Sequence, residues 1–234
     1  MNSHPEISVV IPCLDEEYSI GPCLDQALQT ISRHGLSAEI VVVDNGSRDA
    51  SLSIIAGYQE KHSEIVLVQE SRRGYGAAYR AGFAAARGRF IFMADADNTY
   101  DFSEIPRFVD RLRQGYDMVI GDRFAGQMEK KAMPWLHRYI GNPVLSYMAK
   151  VCFGSTVTDI NCGARAVSKE AVDRMRLQST GMEFASEMII AASRLGLSIA
   201  ELSIGYRPRM GTSKLRSFVD GWRHVRLMLF GTFQ

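Results

Sequence analysis

The chain has 234 residues, 46% of them hydrophobic, and its 27 Lys/Arg against 26 Asp/Glu leave a formal net charge of +1. That length suits one large domain or one domain with a modest extension, and the apolar content is ample for a core. A balance so close to neutral gives no sign of a nucleic-acid partner.

In chain order, "ISVVIP" (7–12) reads as a β-branched strand ending in proline, followed by a helix-like stretch to about Gly35. "AEIVVVD" (38–44) is a second strand, with "NGSRDAS" supplying a turn and a helix start. "EIVLVQ" (64–69) is a third strand and "GYGAAYRAGFAAARG" (74–88) an Ala-rich helix. "RFIFMAD" (89–95) and "DMVIGD" (117–122) are the fourth and fifth strands. Continuous apolar strands alternating with helices predict an α/β fold with a mostly parallel, Rossmann-like sheet flanked by helices. Beyond Arg123, an aromatic- and Met-rich stretch gives way to "TDINCGARAVS" as loop and strand. "EFASEMIIAASRLG" then reads as a helix and "LSIAELSIGYRP" as a strand. No linker interrupts this order.

Charge is unevenly spread. Residues 123–150 carry five Lys/Arg and one acid, residues 205–230 six and one, so the remainder is acidic. Two basic segments on such a chain suit phosphates or an anionic surface. The four cysteines, Cys13, Cys23, Cys152 and Cys162, show no CxxC spacing and read as reduced thiols of a cytoplasmic protein. The polar start (1–6) reads as no signal peptide. No apolar run reaches the ~18 residues of a membrane span.

Ligands of parallel sheets bind beyond the carboxyl ends of the strands, and Asp44, Asp95 and Asp122 all lie at such ends. In "FMADADNTYD", extended geometry through Ala96 would point Asp95 and Asp97 to one side. Two close carboxylates suit a divalent cation, although an acidic turn accounts for them equally well. Asp44 could accept hydrogen bonds from a base or ribose, Glu16 could do the same, and Asp49 could cap a helix. "RRGYGAAYRAG" lacks the third glycine of a dinucleotide fingerprint, because Tyr79 stands there, and so reads as flexible packing of a helix start, with Arg72 and Arg73 nearby. Arg123 follows a strand end, and "RPRMGTSKL" groups Arg207, Arg209, Ser213 and Lys214 as phosphate contacts or a solvated basic loop. In residues 214–230 the stripe Leu215, Phe218, Trp222, Val225 and Leu229 fits either a core-packed helix or one lying in a membrane interface.

"SVVIPCLDEE", "VVVDNGSRD", "GYGAAYRAGF", "DADNTYD", "GDRF", "TDINCGAR" and "RPRMGTSKL", in this order over nearly the whole chain, resemble the family-2 glycosyltransferases. The branch they resemble is that of dolichyl-phosphate mannose synthase and the bacterial polyprenyl-phosphate glycosyltransferases. The resemblance implies a GT-A domain over residues 1–213, with residues 214–234 as an amphipathic C-terminal membrane-interface helix that could precede an anchor beyond this chain. It implies inverting transfer of a sugar from a UDP-sugar or GDP-mannose to a polyprenyl phosphate. The reaction would take place at the cytoplasmic face of the membrane, with the enzyme peripheral or anchored and a homo-oligomer compatible.

The same resemblance implies residue roles. Pro12, Leu14, Glu16, Asp44, Asp95, Ala96, Asp97, Arg209 and Lys214 would bind the donor, with Mg²⁺ or Mn²⁺ on Asp95 and Asp97. Arg123, Arg138, Asn142 and Ser213 would hold the acceptor phosphate. Asp97 and Arg123 would carry catalysis, with Asp159 a candidate base. The sequence departs from the family at Thr99, where a glutamine is frequent, and at Asn142, where a serine is expected. Arg207 and Arg209 compete for one phosphate-binding role. Alternatives are a soluble family-2 transferase acting on a saccharide or protein in cell-envelope synthesis, an inactive nucleotide-sugar-binding protein, and a nicotinamide oxidoreductase.

Overall fold

The computed structural model describes residues 4–212, 214 and 217–231. Seven strands form one sheet: β1 (Ile7–Cys13), β2 (Ala38–Asp44), β3 (Ile65–Gln69), β4 (Phe90–Met93), β5 (Met118–Asp122), β6 (Arg165–Ser168) and β7 (Ile199–Ser203). Their order is β3-β2-β1-β4-β6-β5-β7. Every pairing is parallel except those of β6, which runs antiparallel between β4 and β5. The expected mostly parallel sheet is therefore present, with one reversed strand that apolar patterning does not signal.

β1, β2 and β4 are almost wholly buried, as strands covered on both faces must be. The helices are α1 (Ile20–His34), α2 (Ser51–Gln59), α3 (Tyr75–Ala85), α4 (Ile105–Arg113), α5 (Asn142–Phe153), α6 (Lys169–Met175), α7 (Phe184–Arg194) and α8 (Ser217–Phe230). On one face, Phe108 of α4 meets Phe92 of β4 edge to face, with ring centroids 5.4 Å apart. A π-helical turn, His137–Gly141, leads into α5, a type of irregularity often found at functional sites.

Two devices hold the loops around the sheet's carboxyl edge. The first orphan N–H groups of α3 are satisfied by the 180–181 segment: Gly76 donates to Gly181 O at 3.2 Å and Ala77 to Thr180 O at 3.1 Å. A Cβ on Gly76 would lie 2.4 Å from Ser179 O, so the glycine serves close packing where the sequence suggested a flexible helix start. The second device is Arg165 of β6, fully buried, whose guanidinium donates to the carbonyls of Cys162, Ala185 and Ile160 at 2.8, 2.9 and 2.8 Å. It ties the 159–163 loop to α7. All four cysteines are free thiols, three of them buried.

α8 turns most of its apolar stripe outward. It packs on α5, burying Asp220, His224 and Met228 at i, i+4 and i+8. Phe218 (86%), Trp222 (60%) and Leu229 (55%) face outward. Of the anticipated stripe only Val225 packs against the core, and Leu215 lies outside the described residues. The core-packed reading of that stripe is thereby overturned. Among the described residues no helix is long and apolar enough to cross a membrane.

Candidate active site

A cavity of about 720 Å³ opens over the carboxyl ends of β1 and β4. Pro12, Leu14 and Glu16 line it from the segment around the end of β1, Asp95, Ala96 and Asp97 from the turn after β4. Arg123, Asn142, Arg209 and Lys214 join them. Four expected residues stand apart. Asp44 is absent from the lining: its carboxylate accepts the N–H groups of Gly46 and Ser47, both at 3.1 Å. Its neighbour Asn45 lines the cavity instead. Arg138 is half-buried and stacks at 5.4 Å over the Tyr139 ring, while His137 faces the cavity. Asp159 does not line the cavity and is bound to Arg123, and Ser213 lies outside the described residues.

β4 ends at Met93, and Ala96–Asp97 is a turn rather than extended chain, with Asn98 at φ 62°. The two carboxylates nevertheless face one volume. Tyr79 donates its hydroxyl to Asp95 Oδ1 at 3.2 Å, so the residue that spoils the glycine pattern has a role at the site. Withdrawal from water, and then the charge of Asp97, push the Asp95 carboxyl up to about 7. Asp97 Oδ1 accepts the Thr99 hydroxyl at 2.6 Å and its N–H at 3.1 Å. Thr99 thus orients Asp97 and leaves no side-chain ligand where the family often has glutamine. No third His, Cys, Asp or Glu completes a metal cluster among the described residues. Two mutually repelling carboxylates without such help suit a hard divalent ion whose remaining ligands are substrate oxygens and water.

The two competing arginines separate cleanly. Arg207 pairs with Asp101, the third acid of the run, which also caps the short 3₁₀ turn through Ser103 N. Arg209 enters the cavity: its Nη2 lies 3.2 Å from Glu16 Oε1 and 3.6 Å from Asp97 Oδ2. Its Nε is buried with no hydrogen-bond partner among the described residues. Lys214 Nζ donates to the same Glu16 oxygen at 2.6 Å and to Asp15 O at 2.8 Å. Two cations beside the acidic turn, one with an idle buried donor, make a seat for an anion.

Asp159 is fully buried and chelates Arg123, whose Nε and Nη2 donate at 2.6 and 2.7 Å. Both its oxygens are committed, so this geometry gives no support to a base role. Arg123 lies over the Tyr206 ring at 4.9 Å and remains fixed and charged at the cavity wall. Asp122 resembles Asp44: it accepts Phe124 N, Ala125 N and the Thr158 hydroxyl, at 2.8, 3.0 and 2.8 Å. Of the three strand-end aspartates only Asp95 opens to the cavity. Sequence reasoning missed Asn45, Tyr75, Tyr206 and the inward residues of α8, none of which carries a local signal.

A family model described as "Glycosyl transferase family 2" matches residues 8–176. The low-salt glycan biosynthesis hexosyltransferase Agl6 of Haloferax volcanii is 41% identical over 226 residues, covering 96% of this chain. The chain spans about half the length of that relative, 53%. A dolichyl-phosphate hexose transferase of the same organism is 34% identical, with 92% of this chain and 89% of that protein covered. Among solved structures, glucosyl-3-phosphoglycerate synthase from Mycobacterium tuberculosis, in complex with Mn²⁺, UDP and glucosyl-3-phosphoglycerate, superposes with a TM-score of 0.71 at 22% identity. That match covers 96% of this chain and 79% of the other, and it identifies the fold as GT-A.

Proposed function

Because the chain belongs to glycosyl transferase family 2, we propose that it transfers a sugar, with inversion, from a nucleotide diphosphate sugar to a polyprenyl phosphate at a membrane surface. The observation that carries this reading is one cavity holding two distinct anion seats: Asp95/Asp97 with Arg209 and Lys214, and the Asp159-braced Arg123. The dolichyl-phosphate hexose transferase supports the acceptor class, and the Mn²⁺–UDP complex of a protein of the same fold supports the donor class.

Asp95 and Asp97 would hold Mg²⁺ or Mn²⁺, which when bound offsets the charge developing on the departing diphosphate. Arg209 and Lys214 would exchange Glu16 for the diphosphate. Arg123, pre-oriented by Asp159, would place the acceptor phosphate against the sugar, replacing random encounter with a fixed approach. A phosphate monoester is already ionised near neutral pH, so the acceptor oxygen needs no strong base. That fits the commitment of both Asp159 oxygens to Arg123.

Exposed apolar groups on two neighbouring helical segments fit the membrane reading. Trp135 (66%), Tyr139 (59%) and Tyr147 (68%) stand out around α5, and Phe218 and Trp222 on α8. Each large side chain buried in lipid contributes roughly 1.5–3 kcal/mol, and nearby Lys130, Lys131 and Arg138 would add attraction to anionic headgroups.

The test offers purified protein UDP-sugars and GDP-mannose, with and without a short polyprenyl phosphate, in Mn²⁺ or EDTA. Metal-dependent product on the lipid phosphate is expected. Equal product in EDTA would sink the metal role, and transfer only to saccharides or peptides would establish the soluble family-2 alternative.

A further inference from the structure

A helix that buries an aspartate and a histidine while exposing a phenylalanine and a tryptophan needs a reason, because burying polar groups costs free energy unless they find partners. Part of the reason for α8 is the membrane-facing surface. The rest lies inside: Asp220, Arg223 and His224 all line the cavity. The lead-in to α7, with Gly181 and Met182, lines the same cavity.

This wall is built rather than incidental. Ser186 of α7 fixes His224 through a 2.6 Å bond between its hydroxyl and Nδ1, which leaves Nε2 as the ring nitrogen that Ser186 does not engage. Burial lowers the His224 imidazole to about 4, so it is neutral at physiological pH and offers one donor and one acceptor overall. Gly181 allows two charged groups to converge: a Cβ there would lie 2.4 Å from Glu183 Oε2 and 2.7 Å from Arg223 Nη1. Glu183 Oε2 is itself buried with no hydrogen-bond partner among the described residues.

The chemistry of the wall differs from that of the rest of the cavity. The acidic turn with Arg209 and Lys214 suits a metal diphosphate, and Arg123 suits a phosphate. The α7–α8 wall instead holds a charge-balanced pair, Asp220 Oδ1 and Arg223 Nη1 at 3.9 Å, beside a neutral imidazole. Such a mixture suits an uncharged polyol, whose hydroxyls donate and accept at once.

We propose that the wall formed by Gly181, Asp220, Arg223 and His224 is the subsite that holds the hydroxyls of the transferred sugar and decides which sugar is accepted. This rests on the donor reading above. The residues are positioning and specificity groups, and the reacting centre lies at Asp95, Asp97 and Arg123.

The test measures kcat/KM for UDP-glucose, UDP-galactose, UDP-N-acetylglucosamine and GDP-mannose in wild type, Asp220→Asn, His224→Gln and Arg223→Met. Binding of UDP and GDP with Mn²⁺ is followed in parallel. The preferred sugar should lose about tenfold or more in kcat/KM while poor sugars change little, because a site built to hydrogen-bond a hydroxyl discriminates through that bond. Nucleotide affinity should stay within about twofold, since only the sugar loses contacts. Selectivity ratios equal to wild type, or loss of nucleotide affinity in step with turnover, would overturn the proposal. The Arg223 side chain is 52% exposed, so Arg223→Met carries the test if either buried substitution costs the fold. A wild type that takes no nucleotide sugar would instead refute the donor reading, a result visible before any variant is made.

Discussion

The Asp159 carboxylate grips the Arg123 guanidinium in two parallel bonds of 2.6 and 2.7 Å, and neither side chain is more than 6% exposed. Removing one partner of such a pair leaves an uncompensated buried charge. Asp159→Ala is therefore expected to lose about 3–5 kcal/mol of stability, read from denaturant unfolding. The near-isosteric Asp159→Asn should keep the fold but loosen Arg123, raising KM for polyprenyl phosphate more than it lowers kcat. A pure kcat loss with an unchanged acceptor KM would restore Asp159 to the role of base.

Thr99 makes a second, smaller prediction. Its hydroxyl and N–H both bond Asp97 Oδ1, so Thr99→Val removes the hydroxyl bond while nearly preserving shape. Loss of an outer partner of a metal ligand typically costs about 10–100-fold in metal affinity, and calorimetric titration with Mn²⁺ should show a weakening in that range. Asp97→Ala should abolish turnover with the fold intact. Normal turnover in that variant would remove Asp97 from the site.

Much of this was legible in the sequence because it depends on short-range patterning. Apolar runs gave the strands, and Asp95 and Asp97 follow a strand end where ligands of parallel sheets bind. What was not legible depends on partners distant in the chain. Nothing around Asp44 or Asp122 says that each will spend its carboxylate on the next turn, whereas Asp95 will be held by the buried Tyr79 of α3. Arg207 and Arg209 are near-equivalent in sequence and are separated only by where Asp101 and Glu16 come to lie. The orientation of α8 stayed open for the same reason: its apolar stripe fits either packing, and Ser186 of α7 and the cavity engage the polar face.

That outward stripe should be what meets lipid. Trp222→Ser with Phe218→Ser is expected to reduce co-sedimentation with vesicles containing anionic phospholipid. Burial of two such side chains is worth roughly 3–6 kcal/mol by transfer scales, an upper bound for partial insertion. Binding of UDP with Mn²⁺ should not change, because neither residue lines the cavity. Vesicle binding equal to wild type would remove α8 from the membrane contact.

The Asp95 carboxyl supplies a pH signature. Burial first, and then the Asp97 charge, raise it to about 7, against the bonds from Tyr75 and Tyr79 and the charge of Arg209, which lower it. In the unfolded chain an aspartate titrates near about 3.9. Between those values the metal-free folded protein holds a proton that the unfolded chain has released. The stability this group contributes is thus fully present below about pH 4 and is lost as pH rises through about 7. Metal binding reverses the order, since the ligand must be the carboxylate and the proton must leave. Mn²⁺ affinity should rise with pH up to about 7, by up to about tenfold per unit, and level off above it. Titrations at pH 6 and pH 8 in two buffers of different ionisation enthalpy would measure both the affinity and the proton released. The thermal midpoint gained on adding Mn²⁺ should be larger at the higher pH. Equal affinity at both values, with no proton released, would mean that Asp95 is already ionised or is not a ligand.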